Sequence, residues 1–115
     1  MKKIYYLSTC DTCKRILKEL PVSSDTVLQD VKTNPVTEEE LSVLKEKSGT
    51  YESLFNRRAK LYKERDLKSK SLSETDYKEL LLEHYTFLKR PIVLTEDEIF
   101  VGNSKKTVAA AKNAL

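Results

Sequence analysis

Cysteine and histidine are scarce in this chain, which has two cysteines and a single histidine, His84, in 115 residues. A closed tetrahedral zinc site needs four ligands, so Cys10, Cys13 and His84 would have to recruit a carboxylate or a second chain, and no bound metal is expected. Long hydrophobic runs are missing too. No stretch approaches the roughly 20 apolar residues that cross a bilayer. The start, Met1-Lys2-Lys3, leads into a segment too short and too polar for a signal peptide. No membrane association is expected, and the expected compartment is the cytoplasm. Thiols stay reduced there, and a Cys-x-x-Cys is more often catalytic than structural. Nor is there a large excess of charge of one sign. The net charge is +3, and the lysines and arginines are spread along the chain. That permits an anionic substrate or partner without demanding direct contact with nucleic acid. Nothing repeats, and no segment is low in complexity. The length suits one domain over 1–115, large enough to bury a core without disulfide staples.

What is present centres on Ser8-Thr9-Cys10-Asp11-Thr12-Cys13-Lys14. Lys3-Ile4-Tyr5-Tyr6-Leu7 before it is short, aromatic and β-branched, and Lys14 to Leu20 after it has helical spacing. The cysteines therefore stand where a strand turns into a helix. Unpartnered N–H groups and the helix dipole favour a thiolate or an oxyanion at such a point. Lys14 and Arg15 add positive charge, and all of these should lower the pKa of Cys10. Cys13, Ile16, Leu17 and Leu20 fall on one apolar face that should turn inward. Cys10 is then the exposed, attacking sulfur, and Cys13 is sheltered and able to close a disulfide onto it. Half of a zinc site, or two ordinary small apolar residues, are the alternatives at this point.

Further on, Pro21 ends the first helix and Asp25 to Val31 reads as a second strand, which completes a βαβ unit with parallel strands. Thr37-Glu38-Glu39-Glu40 is a capping box for a second helix that Gly49 should stop. Leu54 to Tyr62 reads as helical or turn-rich. Arg57 and Arg58 within it are either a solvated edge or a bidentate fork for an oxyanion. Ser73 to Asp76 caps another helix, with Tyr77, Leu80, Leu81, His84 and Leu88 as its inward stripe. His84 reads as a satisfied histidine near the helix end rather than a base. Ile92 to Leu94 and Glu98 to Val101 form a hairpin around Thr95-Glu96-Asp97. Gly102-Asn103-Ser104 then caps a last, alanine-rich helix. Arg90-Pro91 stands at the entrance of the hairpin, a place for a strand edge and for a cis bond. The order is β-α-β, inserted helices, then β-β-α. That is an α/β, thioredoxin-like layout with a mixed four-stranded sheet, in which the first helix, the middle arginines and the X-Pro can meet at one end of the sheet.

Ser-Thr-Cys10-Asp-Thr-Cys13-Lys, Leu54-Phe55-Asn56-Arg57-Arg58, Lys89-Arg90-Pro91-Ile92-Val93 and Val101-Gly102 before a helix together resemble the ArsC arsenate reductase family, which includes the Spx-type regulators. The resemblance covers essentially the whole chain. It implies that Cys10 attacks arsenate, that Arg90 binds the oxyanion beside a cis Pro91, and that Arg57 or Arg58 supplies a second guanidinium. A second thiol would then reduce the adduct, either Cys13 or a thiol carrier: glutathione with glutaredoxin, or thioredoxin. Two positions depart from the reductases of the family. Asn103 stands where they carry a third arginine, and Asn56 stands where they carry the middle one, with Arg58 matching the Spx-type placement. Two functions are therefore expected to compete. One is a thiol oxidoreductase acting on a small oxyanion or a disulfide. The other is a redox-sensing regulator that binds RNA polymerase. The sequence ends with the alanine-rich helix and carries no tail for a partner, which favours the enzyme.

Overall fold

The apolar side chains of Lys2–Tyr6 point to both sides of the strand they form, and this strand, β1, is the spine of the sheet. The computed structural model describes residues 2–115, so Met1, part of the expected 1–115 domain, lies outside the described residues. Strand β1 leads into helix α1 (Asp11–Glu19) and then strand β2 (Thr26–Asp30). Helices α2 (Glu38–Ser48), α3 (Lys60–Glu64) and α4 (Glu74–Glu83) follow, then strands β3 (Ile92–Leu94) and β4 (Ile99–Val101) and helix α5 (Lys105–Ala114). The chain forms two compact units, one from the residues up to Pro35 together with Arg90–Leu115, the other from Val36–Lys89.

The first unit holds the whole sheet, in the order β2-β1-β3-β4. β1 and β2 are parallel with Tyr6 beside Asp30, and β3 runs antiparallel to both β1 and β4. The mixed four-stranded sheet expected of the sequence is therefore present. Ile4, Val93 and Phe100 lie in one row across it, and α1 and α5 cover that row. Ile16 and Leu20 of α1, Ala111 and Val108 of α5, and Ile4 and Val93 of the sheet form one apolar cluster. Each large side chain buried there is worth about 1.5–3 kcal/mol. At the edge of the sheet the cover runs out, and Leu28 on β2 remains 46% exposed. The remaining face of β1 and β3 buries Tyr5 and Ile92.

The second unit is built around Phe55, which is wholly buried. Its ring stacks on Phe87 with centroids 5.2 Å apart and meets Tyr77 edge-on at 5.0 Å. Two backbone bonds tie the segments that carry these rings, Asn56 N–H to Phe87 C=O at 2.7 Å and Lys89 N–H to Leu54 C=O at 2.8 Å. The expected capping box of Thr37 with Glu40 forms on α2, and the expected cap at Ser73 is likewise a capping box, with Asp76, on α4. Gly49 closes α2 at φ 101°, a left-handed conformation that a Cβ would strain. The segment from Leu54 to Tyr62 is turn-rich, with a 3₁₀ turn at Glu52–Leu54 and a helix only from Lys60. The stripe expected of Tyr77 to Leu88 is shorter than its spacing suggested. Helix α4 stops at Glu83 because His84 is extended, at φ −147°, and accepts the Thr86 N–H on its own ring. Leu88 is buried from outside the helix, paired with Phe55 in an isolated β-bridge.

Replacing Phe55 by alanine removes the ring that three other aromatics contact, and should cost about 3–5 kcal/mol in urea unfolding. Replacing the helix cap Ser73 by alanine should cost about 1 kcal/mol in the same measurement.

Candidate active site

Cys10 is the N-cap of α1, extended at φ −98° and ψ 113°, and its carbonyl accepts the Lys14 N–H at 3.1 Å. It makes no side-chain capping bond of the usual kind, so the first-turn N–H groups remain available to a charge on the sulfur. Cys10 is partly exposed, while Cys13 is buried and lies on the face of α1 that also buries Ile16 and Leu20. Both thiols are free.

Their surroundings separate them chemically. Burial tends to raise the pKa of Cys10, but the Cys13 N–H, the Cys13 thiol, the Arg90 guanidinium and the Thr12 N–H together hold it below the ordinary thiol value. Burial pushes Cys13 up to about 11; the neighbouring Cys10 sulfur adds to this, and the Leu7 N–H and Arg90 oppose it. Of the two sulfurs Cys10 is thus the one that ionises more readily, and Cys13 keeps its proton and donates to it. The cation acting on Cys10 is Arg90, which enters from the other end of the chain. Lys14 and Arg15, expected from their nearness in sequence to supply that charge, are exposed.

Arg90 precedes Pro91 through a cis peptide bond. Pro91 is buried, and the Nε of Arg90 is buried as well. The Pro91 carbonyl accepts the Gly102 N–H at 3.0 Å, with Gly102 at φ 99°. That bond ties the start of β3 to the turn leading into α5. Cys10, Cys13, Arg90 and Pro91 therefore belong to one unit and one neighbourhood. Arg57 and Arg58 belong to the other unit. There the Arg57 guanidinium pairs with Glu52, donates to the Tyr77 hydroxyl at 3.2 Å and stays about half exposed. The Arg58 side chain is exposed, and its N–H donates to the Asn56 side chain. His84 is held locally, its Nδ1 2.7 Å from the Thr86 hydroxyl and its ring stacked on Tyr85.

One pair escaped the reading of the sequence. The Asp30 carboxylate accepts the hydroxyl and the N–H of Ser8, two residues before Cys10, at 2.6 and 3.3 Å. The only signal available was an aspartate closing the strand paired with β1. Among the described residues no group of three or more His, Cys, Asp or Glu side chains is placed to hold a metal ion. Nor is any helix there long and apolar enough to cross a membrane.

A lowered pKa means that the Cys10 thiolate appears at lower pH than that of a free thiol. Iodoacetamide should therefore label Cys10 first, with a rate that levels off below the ordinary thiol range, as read by mass spectrometry across a pH series. Arg90→Gln removes a cation that favours the thiolate, so the midpoint should move upward. Cys13 should resist labelling until the pH nears 11 or the protein opens.

The model of the ArsC family matches residues 5–111. Global transcriptional regulator Spx 2 of Bacillus anthracis is 25% identical over 104 residues, covering 89% of this chain and 79% of that protein. Among solved structures, a Bacteroides fragilis protein described as ArsC family related superposes with a TM-score of 0.80 at 27% identity, over 96% of this chain and 97% of its own. The arsenate reductase of Vibrio cholerae shares the fold at a TM-score of 0.77 and 23% identity, over 96% of each chain. With a family pattern running through nearly all of its length, the chain belongs to the ArsC family.

Proposed function

We propose that the protein is a thiol oxidoreductase of the arsenate reductase type, in which Cys10 is the nucleophile and Cys13 can resolve the adduct. The observation that carries this reading is the contrast between the two sulfurs: Cys10 partly exposed at a helix N-terminus beside Arg90, with its pKa lowered, and Cys13 buried, with its pKa raised. The Cys10 thiolate attacks pentavalent arsenic and a protonated oxygen leaves as water, which forms a sulfur–arsenic bond. A second thiol then attacks the Cys10 sulfur. The electron pair of the sulfur–arsenic bond goes to arsenic, so arsenite leaves and a disulfide remains. The second thiol is Cys13, or glutathione with glutaredoxin; a Cys10–Cys13 disulfide would be returned to thiols by thioredoxin. The first-turn N–H groups and Arg90 would neutralise the oxyanion as the bond forms. No resident cofactor is required, and the work is that of a cytoplasmic enzyme.

A second reading is favoured by the likeness to the Bacillus anthracis regulator, by Asn103 and Asn56, which depart from the reductase pattern, and by Arg58, which resembles the Spx-type placement. In it the Cys10–Cys13 disulfide switches affinity for RNA polymerase.

Arsenate consumption by the purified protein should be supported by glutathione plus glutaredoxin or by thioredoxin plus its reductase. Cys10→Ser should abolish it, and full activity in that variant would sink the enzyme reading. Cys13→Ser should spare turnover with glutathione and remove turnover with thioredoxin if Cys13 is the resolving thiol. If arsenate is untouched and polymerase is retained by only one redox form on an affinity column, the regulator reading replaces the first.

A further inference from the structure

We propose that Asp30 is a positioning residue for Cys10: through Ser8 its carboxylate holds the turn from Leu7 to Cys10, and so sets where the sulfur sits at the head of α1. This rests on the reading of Cys10 as the attacking thiol. Strands β1 and β2 end level, with Tyr6 beside Asp30 in the parallel register. The Val31 N–H closes the last rung onto the Tyr6 carbonyl at 2.9 Å. Beyond it the chain turns sharply, since the Cys10 N–H donates to the Leu7 carbonyl at 3.0 Å with Ser8 and Thr9 at the corners. A turn at the end of a strand has no ladder to hold it. The Asp30 carboxylate supplies the hold. Oδ2 accepts the Ser8 hydroxyl at 2.6 Å, and Oδ1 accepts the Ser8 N–H at 3.3 Å and the Lys32 N–H at 3.1 Å. One side chain thereby clamps the two loops that leave adjacent strands.

The clamp is charged. The Ser8 hydroxyl holds the Asp30 carboxyl below its ordinary range; partial burial opposes this, while the Lys32 and Ser8 N–H groups and the Lys32 charge reinforce it. A hydrogen bond to an ionised acceptor is about twice as strong as a neutral one. The charged and titratable groups concerned are Lys32 facing Asp30, and Cys13 and Arg90 facing Cys10. Geometry and charge here have opposite signs. If Asp30 acted on the sulfur through its own negative charge, removing it would favour the thiolate. If it acts by holding the turn, removing it lets Cys10 drift from the N–H groups of Thr12 and Cys13, and the thiolate is disfavoured.

The test is the pH profile of Cys10 alkylation in the full chain carrying Asp30→Ala, Asp30→Asn or Ser8→Ala, with thermal unfolding recorded on each. Asp30→Ala should raise the midpoint by about half to one pH unit, which lowers the ratio of thiolate to thiol at a given pH about three- to tenfold. Ser8→Ala should move it in the same direction. Asp30→Asn keeps an oxygen for the Ser8 N–H and should restore most of the parental profile. A midpoint that stays put or falls in Asp30→Ala, or in Ser8→Ala where Asp30→Ala does not fold, overturns the proposal. A parental midpoint in the ordinary thiol range would overturn the reading of Cys10 instead, and that is measured in the same series without arsenate.

Discussion

Cys13, Ile16 and Leu20 leave water together when α1 settles on the sheet, and their burial decides where the helix begins as well as where it lies. A helix held along its apolar stripe cannot slide, so its first turn is presented at a constant distance from the end of β1. Everything at the reactive end follows from that. The residue before the first turn is partly exposed, the N–H groups of Thr12 and Cys13 face it, and a second sulfur one turn on is locked against the core. The dipole and the dry interior are then consequences of one packing event rather than separate devices.

How far this was readable before the structure depended on range. The βαβ unit, the capping boxes at Thr37 and Ser73, the stop at Gly49 and the hairpin are local patterns, and local patterns are legible because neighbours in sequence settle them. The division between Cys10 and Cys13 was legible for the same reason, as helical spacing alone puts Cys13 on the face of Ile16 and Leu20. Failures came where a distant group won. Lys14 and Arg15 lie nearer in sequence, yet Arg90 supplies the charge, because only tertiary structure brings residue 90 beside residue 10. The apolar spacing runs on to Leu88, but a side chain, His84, captures a backbone N–H and the helix ends against its periodicity. Asp30 and Ser8 carried no pattern at all, being partners only by virtue of strand register.

The two thiols also show how differently one helix end can treat the same residue type. They share a residue type, a helix turn and a cation in Arg90, yet their proton affinities are pushed in opposite directions. Desolvation acts on both. It prevails only for Cys13, which has the Leu7 N–H and Arg90 against it, whereas Cys10 has two N–H groups, a donor thiol and Arg90.

The sheet is completed by strands that lie far apart in the chain: β1 pairs with β3 through Ile4 and Val93, and the whole of the second unit, Val36–Lys89, intervenes. During synthesis the first strand, α1 and β2 emerge early and wait. Arg90 and the strand that buries the base of α1 follow only after that unit. A nascent chain therefore carries Cys10 as an ordinary thiol, without its cation and on a helix not yet seated. The surroundings that lower the Cys10 pKa are complete only once the sheet has closed.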